Sequence, residues 1–108
     1  MVVWPLAFEW NPRKAALNLA KHAVSFDEAV TAFGDPLARI IDDPDHSVSE
    51  QRFILLGQSD RGRLPVVMFT ERRESIRLIS ARKAPPRERR WHEEGEAWED
   101  RATSERAG

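Results

Sequence analysis

The sequence has 108 residues, enough for one small domain, and it contains no cysteine, which excludes disulfides, thiolate metal sites and cysteine nucleophiles. Hydrophobic residues make up 41% and charged residues 32%, a balance typical of a folded domain rather than a disordered chain. The first residues have neither a basic leader nor a long apolar run, so we expect a single cytoplasmic domain over residues 1–108 without a membrane span.

The net charge of -1 hides an uneven distribution along the chain. Residues 1–50 and residues 91–108 each carry a charge of -4, whereas residues 51–90 carry +7. A basic block of this kind favours a polyanionic partner such as nucleic acid. The alternative is that its cations pair with carboxylates inside the fold, and the charge count alone does not decide between the two.

A short strand and a helix are predicted first. Residues 6–10 form a short segment that contains two aromatic residues and lies between Pro5 and Asn11-Pro12, which indicates a strand. Asn11 is a good N-cap and Pro12 is tolerated in a first helical turn, so a helix should cover residues 13–21. Its buried side is expected to contain three apolar residues, Ala16, Leu19 and Ala20.

A second helix follows at once. Ser25 and Glu28 have the spacing of a capping box, in which Ser25 caps the first turn and Glu28 reaches back to it. Gly34 is expected to end this helix in a left-handed conformation, and Pro36 prevents its continuation.

Four further strands are predicted, over residues 37–41, 52–57, 64–70 and 75–81. The first is followed by a polar turn rich in aspartate, and the others are joined by connections of hairpin length, so an antiparallel meander is expected. Pro65 cannot donate to a ladder and should begin its strand or lie at a bulge.

The chain ends with a charged helix that Pro85 and Pro86 introduce. Trp91 and Trp98 are seven residues apart, on one face, and are interpreted as exposed anchors for a partner or for a base. Residues 102–108 should fray. The predicted fold class is therefore α+β: two N-terminal helices packed on a largely antiparallel four- to five-stranded sheet, with a C-terminal helix.

Several segments together resemble the BrnT family: residues 8–12 with Lys21 and His22, residues 25–29, residues 43–47 with residues 50–53, and residues 77–84. Asn11 and Ala23 depart from the family, which usually has Asp and Gly there. The resemblance implies a RelE-like fold and a ribonuclease toxin of a type II toxin-antitoxin system.

Metal-free cleavage of RNA needs a base for the 2′-hydroxyl, cations for the charge that grows on the phosphate, and an acid for the leaving oxygen. Arg82 and Lys83 end the last predicted strand, with Arg77 on that strand and Arg52 on another, and these side chains can converge on a phosphate. The alternative is that they are solvated cations at strand ends.

Four residues are candidates for the acid or base: Lys21, His22, Glu50 and His46. The residues alone do not choose among them, and the RelE-like resemblance favours lysine and arginine. Carboxylates near His46 also invite a metal interpretation, but their spacing matches no defined metal loop. We predict neither a metal nor a cofactor.

The resemblance also implies partners: an RNA substrate and a cognate BrnA-like antitoxin, in a heterotetramer of two toxins and two antitoxins. The predicted function is a metal-independent endoribonuclease that attacks through the 2′-hydroxyl and inhibits translation and growth. The alternative is a non-catalytic module of the same fold that binds nucleic acid or protein.

Overall fold

A computed structural model describes residues 7–46 and 49–94 of the chain. Three helices and five strands follow one another in the predicted order, with short 3-10 turns at Ala32–Gly34 and Pro44–His46. The elements are β1 (Ala7–Glu9), α1 (Pro12–His22), α2 (Phe26–Thr31), β2 (Arg39–Asp42), β3 (Arg52–Leu56), β4 (Pro65–Glu71), β5 (Ser75–Lys83) and α3 (Pro86–Glu94). The predicted frayed tail, residues 102–108, lies outside the described residues.

The five strands form one sheet in the order β1-β5-β4-β3-β2. Every neighbouring pair is antiparallel except β1 and β5, which are parallel. Pro65 begins β4, where it has no ladder hydrogen bond to donate, as predicted. The α+β class, with a largely antiparallel sheet, is confirmed.

Helix α1 begins as predicted, but its buried side was predicted wrongly. The Asn11 side chain accepts hydrogen bonds from the backbone N–H groups of Arg13 (2.9 Å) and Lys14 (3.2 Å). Three apolar residues expected in the core are instead exposed: Ala16, Leu19 and Ala20. The buried residue of α1 is Asn18, whose side-chain amide bonds to the backbone of Val24 and Ala81.

The two turns that end α1 and α2 differ in conformation. Ala23 ends α1 in the left-handed region, with a φ of 59°, although alanine has a Cβ that disfavours it. Gly34 was predicted to be left-handed and is not, because the chain leaves α2 through a 3-10 turn rather than a left-handed cap.

Only half of the predicted capping box forms. The Ser25 hydroxyl accepts from the Glu28 backbone N–H at 3.0 Å, as expected. The buried Glu28 carboxylate instead receives hydrogen bonds from Arg63 Nε (2.9 Å) and from the Ser59 hydroxyl (2.7 Å). The hydrogen bond from Arg63 lowers the pKa of Glu28, against the opposing effect of burial and with help from Ser59. Glu28 therefore ties α2 to the β3–β4 connection.

The sheet buries both of its faces, but unequally. One face packs against α1 and α2 around an aromatic cluster that includes Phe26, Phe33 and Phe69. The other face is covered at one end by α3, whose Trp91 packs on Leu56 and Val66. We call this second side the α3 face. No helix within the described parts of the chain is long and apolar enough to cross a membrane.

Candidate functional site

A row of polar residues crosses the α3 face from strand to strand. Arg52 of β3 pairs with Thr70 of β4, which in turn pairs with Arg77 of β5. Residues that pair directly project from the same face, so the two arginines share it, with backbones about 10 Å apart, two strand spacings. Arg77 also lies 3.6 Å from Glu9 of β1, and its side chain remains 35% exposed.

An irregularity in β5 brings a third arginine to this face. Arg77 and Arg82 are five residues apart, and strict alternation would place them on opposite faces. The pairing shifts between Met68 and Phe69, which face Ser80 and Leu78, so β5 contains one extra residue there. This bulge returns Arg82 to the side of Arg77.

Helix α3 lies across the strands at the Arg82 end of this face. The Glu88 carboxylate accepts two hydrogen bonds from Arg82, each 3.1 Å long. Farther along the helix, His92 Nε2 lies 2.8 Å from Asp35 Oδ2, and both side chains are buried. Trp91, between these contacts, is only 2% exposed, so its predicted role as an exposed anchor is wrong. Trp98 lies outside the described residues.

Asp35 is a carboxylate held by several donors. Burial alone would raise its pKa, but backbone hydrogen bonds from Gln58 and Leu37, together with the contact to His92, bring the pKa below its ordinary value. A charged Asp35 therefore links α3 to the turn before β2 and to the β3–β4 connection.

A carboxylate–imidazole pair stands at the opposite end of the arginine row. The backbone N–H of Asp43 donates to the carbonyl of Arg52 at 2.9 Å, which places Asp43 beside Arg52 in the row. Asp43 is 2% exposed, and its Oδ2 lies 2.9 Å from Nδ1 of His46, whose side chain is 58% exposed. The buried carboxylate thus orients an imidazole that presents its other nitrogen to solvent.

Glu50 lies at the same end of the sheet, two residues before Arg52. Its carboxylate is 3.4 Å from Arg72, in the connection after β4. Both side chains are partly exposed, so this ion pair contributes little to stability.

The other predicted site residues lie elsewhere. Lys21 and His22 end α1, which packs against β5 on the side opposite the arginine row. Lys83 is exposed at the end of β5. Among the predicted residues, the structure therefore brings together Arg52, Arg77 and Arg82 on one face, with Glu50 at its edge.

His46 is one of the four candidates that the sequence offers for the acid or base, but its pairing with Asp43 was not predicted. The available signal was the three-residue spacing of Asp43 and His46 across Pro44, which lets the two side chains meet. Nothing in the local pattern showed that Asp43 would lie beside Arg52.

The comparisons with known proteins agree with this architecture. The model of the family described as the ribonuclease toxin BrnT of type II toxin-antitoxin systems matches residues 10–88. The fold is similar to the crystal structure of the Brucella abortus ribonuclease toxin BrnT, with a TM-score of 0.59 and 19% sequence identity over 74% of this chain and 97% of that one. No curated protein matches. Because the family model covers more than half of the sequence, the chain belongs to the BrnT family of ribonuclease toxins.

Proposed function

We propose that this protein is a toxin that cuts RNA in the cytoplasm without a metal ion and thereby inhibits translation and growth. The observation that carries the proposal is the row on the α3 face, in which the Asp43 and His46 pair adjoins Arg52, and Arg77 lies two strands farther along the same row. It unites a proton acceptor with cations, two of the three groups that metal-free RNA cleavage needs.

His46 is the proposed general base. With its Nδ1 proton donated to the buried Asp43 carboxylate, the neutral ring offers Nε2 as an acceptor for the 2′-hydroxyl proton. Asp43 also stabilises the imidazolium that forms. The freed 2′-oxygen attacks the phosphorus, the bond from phosphorus to the 5′-oxygen breaks, and the 5′-oxygen takes a proton from water, which leaves a 2′,3′-cyclic phosphate and a 5′-hydroxyl.

Arg52 and Arg77 are the proposed phosphate ligands. Their planar guanidinium groups donate paired hydrogen bonds to phosphate oxygens, and their positions in one row let both reach a single phosphate. Glu50 and Arg82 are proposed to act at the margins of the site, whereas Lys83 remains a predicted phosphate ligand outside the row, exposed at the end of β5. Lys21 and His22 remain predictions that nothing in the geometry favours over His46.

The test is incubation of purified, antitoxin-free protein with RNA in EDTA. Cleavage should persist, and the products should carry 2′,3′-cyclic phosphate or 3′-phosphate ends. His46→Gln should lower the rate about 10²- to 10⁴-fold, the usual contribution of a general base. The matched control Arg13→Gln, an exposed cation on α1, should retain full activity. Products with 3′-hydroxyl ends, or full activity of His46→Gln, would refute the mechanism.

One observation favours a second candidate, a module that binds nucleic acid or protein without cutting. Four arginines of the described residues already pair with carboxylates of the same chain: Arg63 with Glu28, Arg72 with Glu50, Arg77 with Glu9 and Arg82 with Glu88. A module of this kind would bind RNA in gel-shift assays and release no products over hours, which distinguishes it from the enzyme.

Membership of a toxin-antitoxin family implies an antitoxin. We propose a BrnA-like partner encoded beside this gene, bound through an acidic or amphipathic segment that covers the basic block, in a complex of two toxins and two antitoxins. Trp91 is too buried to anchor it. Co-expression with the neighbouring reading frame, then co-purification at about 1 M salt and native mass measurement, tests both the pairing and its stoichiometry.

A further inference from the structure

Arg39 lies on the same face as the catalytic row but apart from it. It begins the edge strand β2 and pairs with Leu56, which is four residues from Arg52 along β3 and therefore projects from the same face. Arg39 is partly buried, and its Nε has no hydrogen-bond partner among residues 7–46 and 49–94. A buried guanidinium N–H without an acceptor is costly unless a ligand supplies one.

Arg39 differs from Arg77 and Arg82, on the same face, in that those two arginines pair with carboxylates of the chain. Arg82, at the far end of the Arg39 row, donates to Glu88, and Arg77 lies near Glu9. Arg39, in contrast, has no ion pair or side-chain hydrogen bond within residues 7–46 and 49–94, so its guanidinium group keeps its donor capacity for an oxygen acceptor of a ligand. An anion with several oxygens fits the guanidinium fork best.

The distance between Arg39 and Arg52 determines which ligand can contact both side chains. Four residues of β3 span about 13 Å, which is too far for Arg39 and Arg52 to hold the same phosphate. Between them lies an apolar strip of partly buried side chains, Ile41, Ile54 and Met68. Such a strip suits the ribose or base edges of nucleotides whose phosphates lie at its two ends.

We infer that Arg39 is a second phosphate-binding position, which holds an RNA phosphodiester at least one nucleotide removed from the bond that is cut. The inference rests on the proposed ribonuclease function, since it places the scissile phosphate at Arg52 and Arg77. The substrate is then a single strand laid across β3, and strands longer than a dinucleotide should bind more tightly because they reach Arg39 as well.

Binding to oligodeoxynucleotides, which lack the attacking 2′-hydroxyl, tests the position even if no cleavage occurs. Fluorescence anisotropy with eight-nucleotide strands should show that Arg39→Gln weakens affinity roughly tenfold at low salt. The slope of log affinity against log salt should become shallower by about 0.7, the value for one lost phosphate contact on a single strand. Arg13→Gln, an equal change of charge on the opposite side of the sheet, should alter neither quantity.

A cleavage assay is the second experiment. In strands with one ribonucleotide, Arg39→Gln should raise KM roughly tenfold for an eight-nucleotide chain and leave a dinucleotide unaffected, with kcat unchanged for both. Thermal unfolding of each variant checks that the fold is retained. Equal losses on long and short substrates, or an unchanged salt slope, would overturn the second position.

The binding and cleavage experiments distinguish a failure of the ribonuclease proposal from a failure of the proposed role of Arg39. If wild-type protein binds strands and cuts none, the ribonuclease proposal fails, while the length dependence and salt slope still decide the role of Arg39. If Arg39→Gln weakens only the complex with the antitoxin, Arg39 serves a protein partner and the inference is wrong.

Discussion

The hydrogen bonds of Asn18 should stabilise the fold more than any apolar residue of α1. Strand β1 pairs with β5 only as far as Arg77, so the backbone of Ala81 has no strand neighbour on that side. The Asn18 amide replaces the missing strand: its Nδ2 donates to the Ala81 carbonyl at 2.9 Å, and its Oδ1 accepts from the Ala81 N–H at 3.1 Å. Nδ2 also donates to the carbonyl of Val24 at 3.0 Å.

Replacement of Asn18 by leucine keeps the number and branching of the side-chain heavy atoms and removes all three hydrogen bonds. Each backbone group left without a partner in the interior costs about 1–3 kcal/mol, so the free energy of unfolding should fall by about 3 kcal/mol or more. With a typical urea dependence, the unfolding midpoint should fall by roughly 2 M. Tryptophan fluorescence during a urea titration measures this midpoint.

The matched control is Leu17→Ala. Leu17 adjoins Asn18 in sequence but is 65% exposed, so its truncation should change stability by less than about 0.5 kcal/mol. If Asn18→Leu also stays within about 1 kcal/mol of the wild type, apolar burial holds α1 in place and the argument from hydrogen bonds is refuted.

Three further predictions concern a turn, an ion pair and a strand end. Ala23→Gly should raise the melting temperature by about 3 °C, because glycine adopts the left-handed conformation without strain, and this gain exceeds the additional conformational entropy that glycine loses on folding. A lower melting temperature would contradict this. Arg63 lowers the pKa of Glu28, so the ionised Glu28 carboxylate stabilises the fold fully above about pH 4.5, and this stabilisation is lost as the pH falls through the folded-state pKa. The free energy of unfolding of Glu28→Gln should therefore be lower than that of the wild type at neutral pH and should depend less on pH between pH 6 and pH 3. Lys83→Ala and Arg82→Ala should each reduce RNA cleavage and growth inhibition about ten- to a hundredfold, and Arg82→Ala should in addition loosen α3, as Glu88→Gln does; unchanged toxicity in both arginine and lysine variants would exclude both residues from the site.

Much of the fold was predictable because its signals are local. Asn11 and Ser25 cap the helices that they precede, and Pro65 begins the strand where its missing donor does no harm. The resemblance to the BrnT family also identified the class of protein from sequence. Of the predicted site residues, Arg52, Arg77 and Arg82 do lie on one face, although alternation alone would have separated Arg77 from Arg82.

Other features could not be predicted, because they depend on partners distant in sequence. The Glu28 side chain bonds to Arg63, 35 residues later, and not to the backbone N–H of Ser25, because a buried hydrogen bond between charged groups is stronger than the local bond of a capping box. The apolar residues of α1 face solvent because the sheet edge at Ala81 requires an amide rather than a methyl group.

The sequence by itself determined the elements, their order and the types of residue available for chemistry, since caps, turns and strand alternation act within a few residues. The tertiary structure alone decided which of those residues meet. The bulge in β5 aligned the arginines, and the pairing of β2 with β3 set the Asp43 and His46 pair beside Arg52. Register and bulges follow from packing of the whole sheet, so no local pattern specifies them.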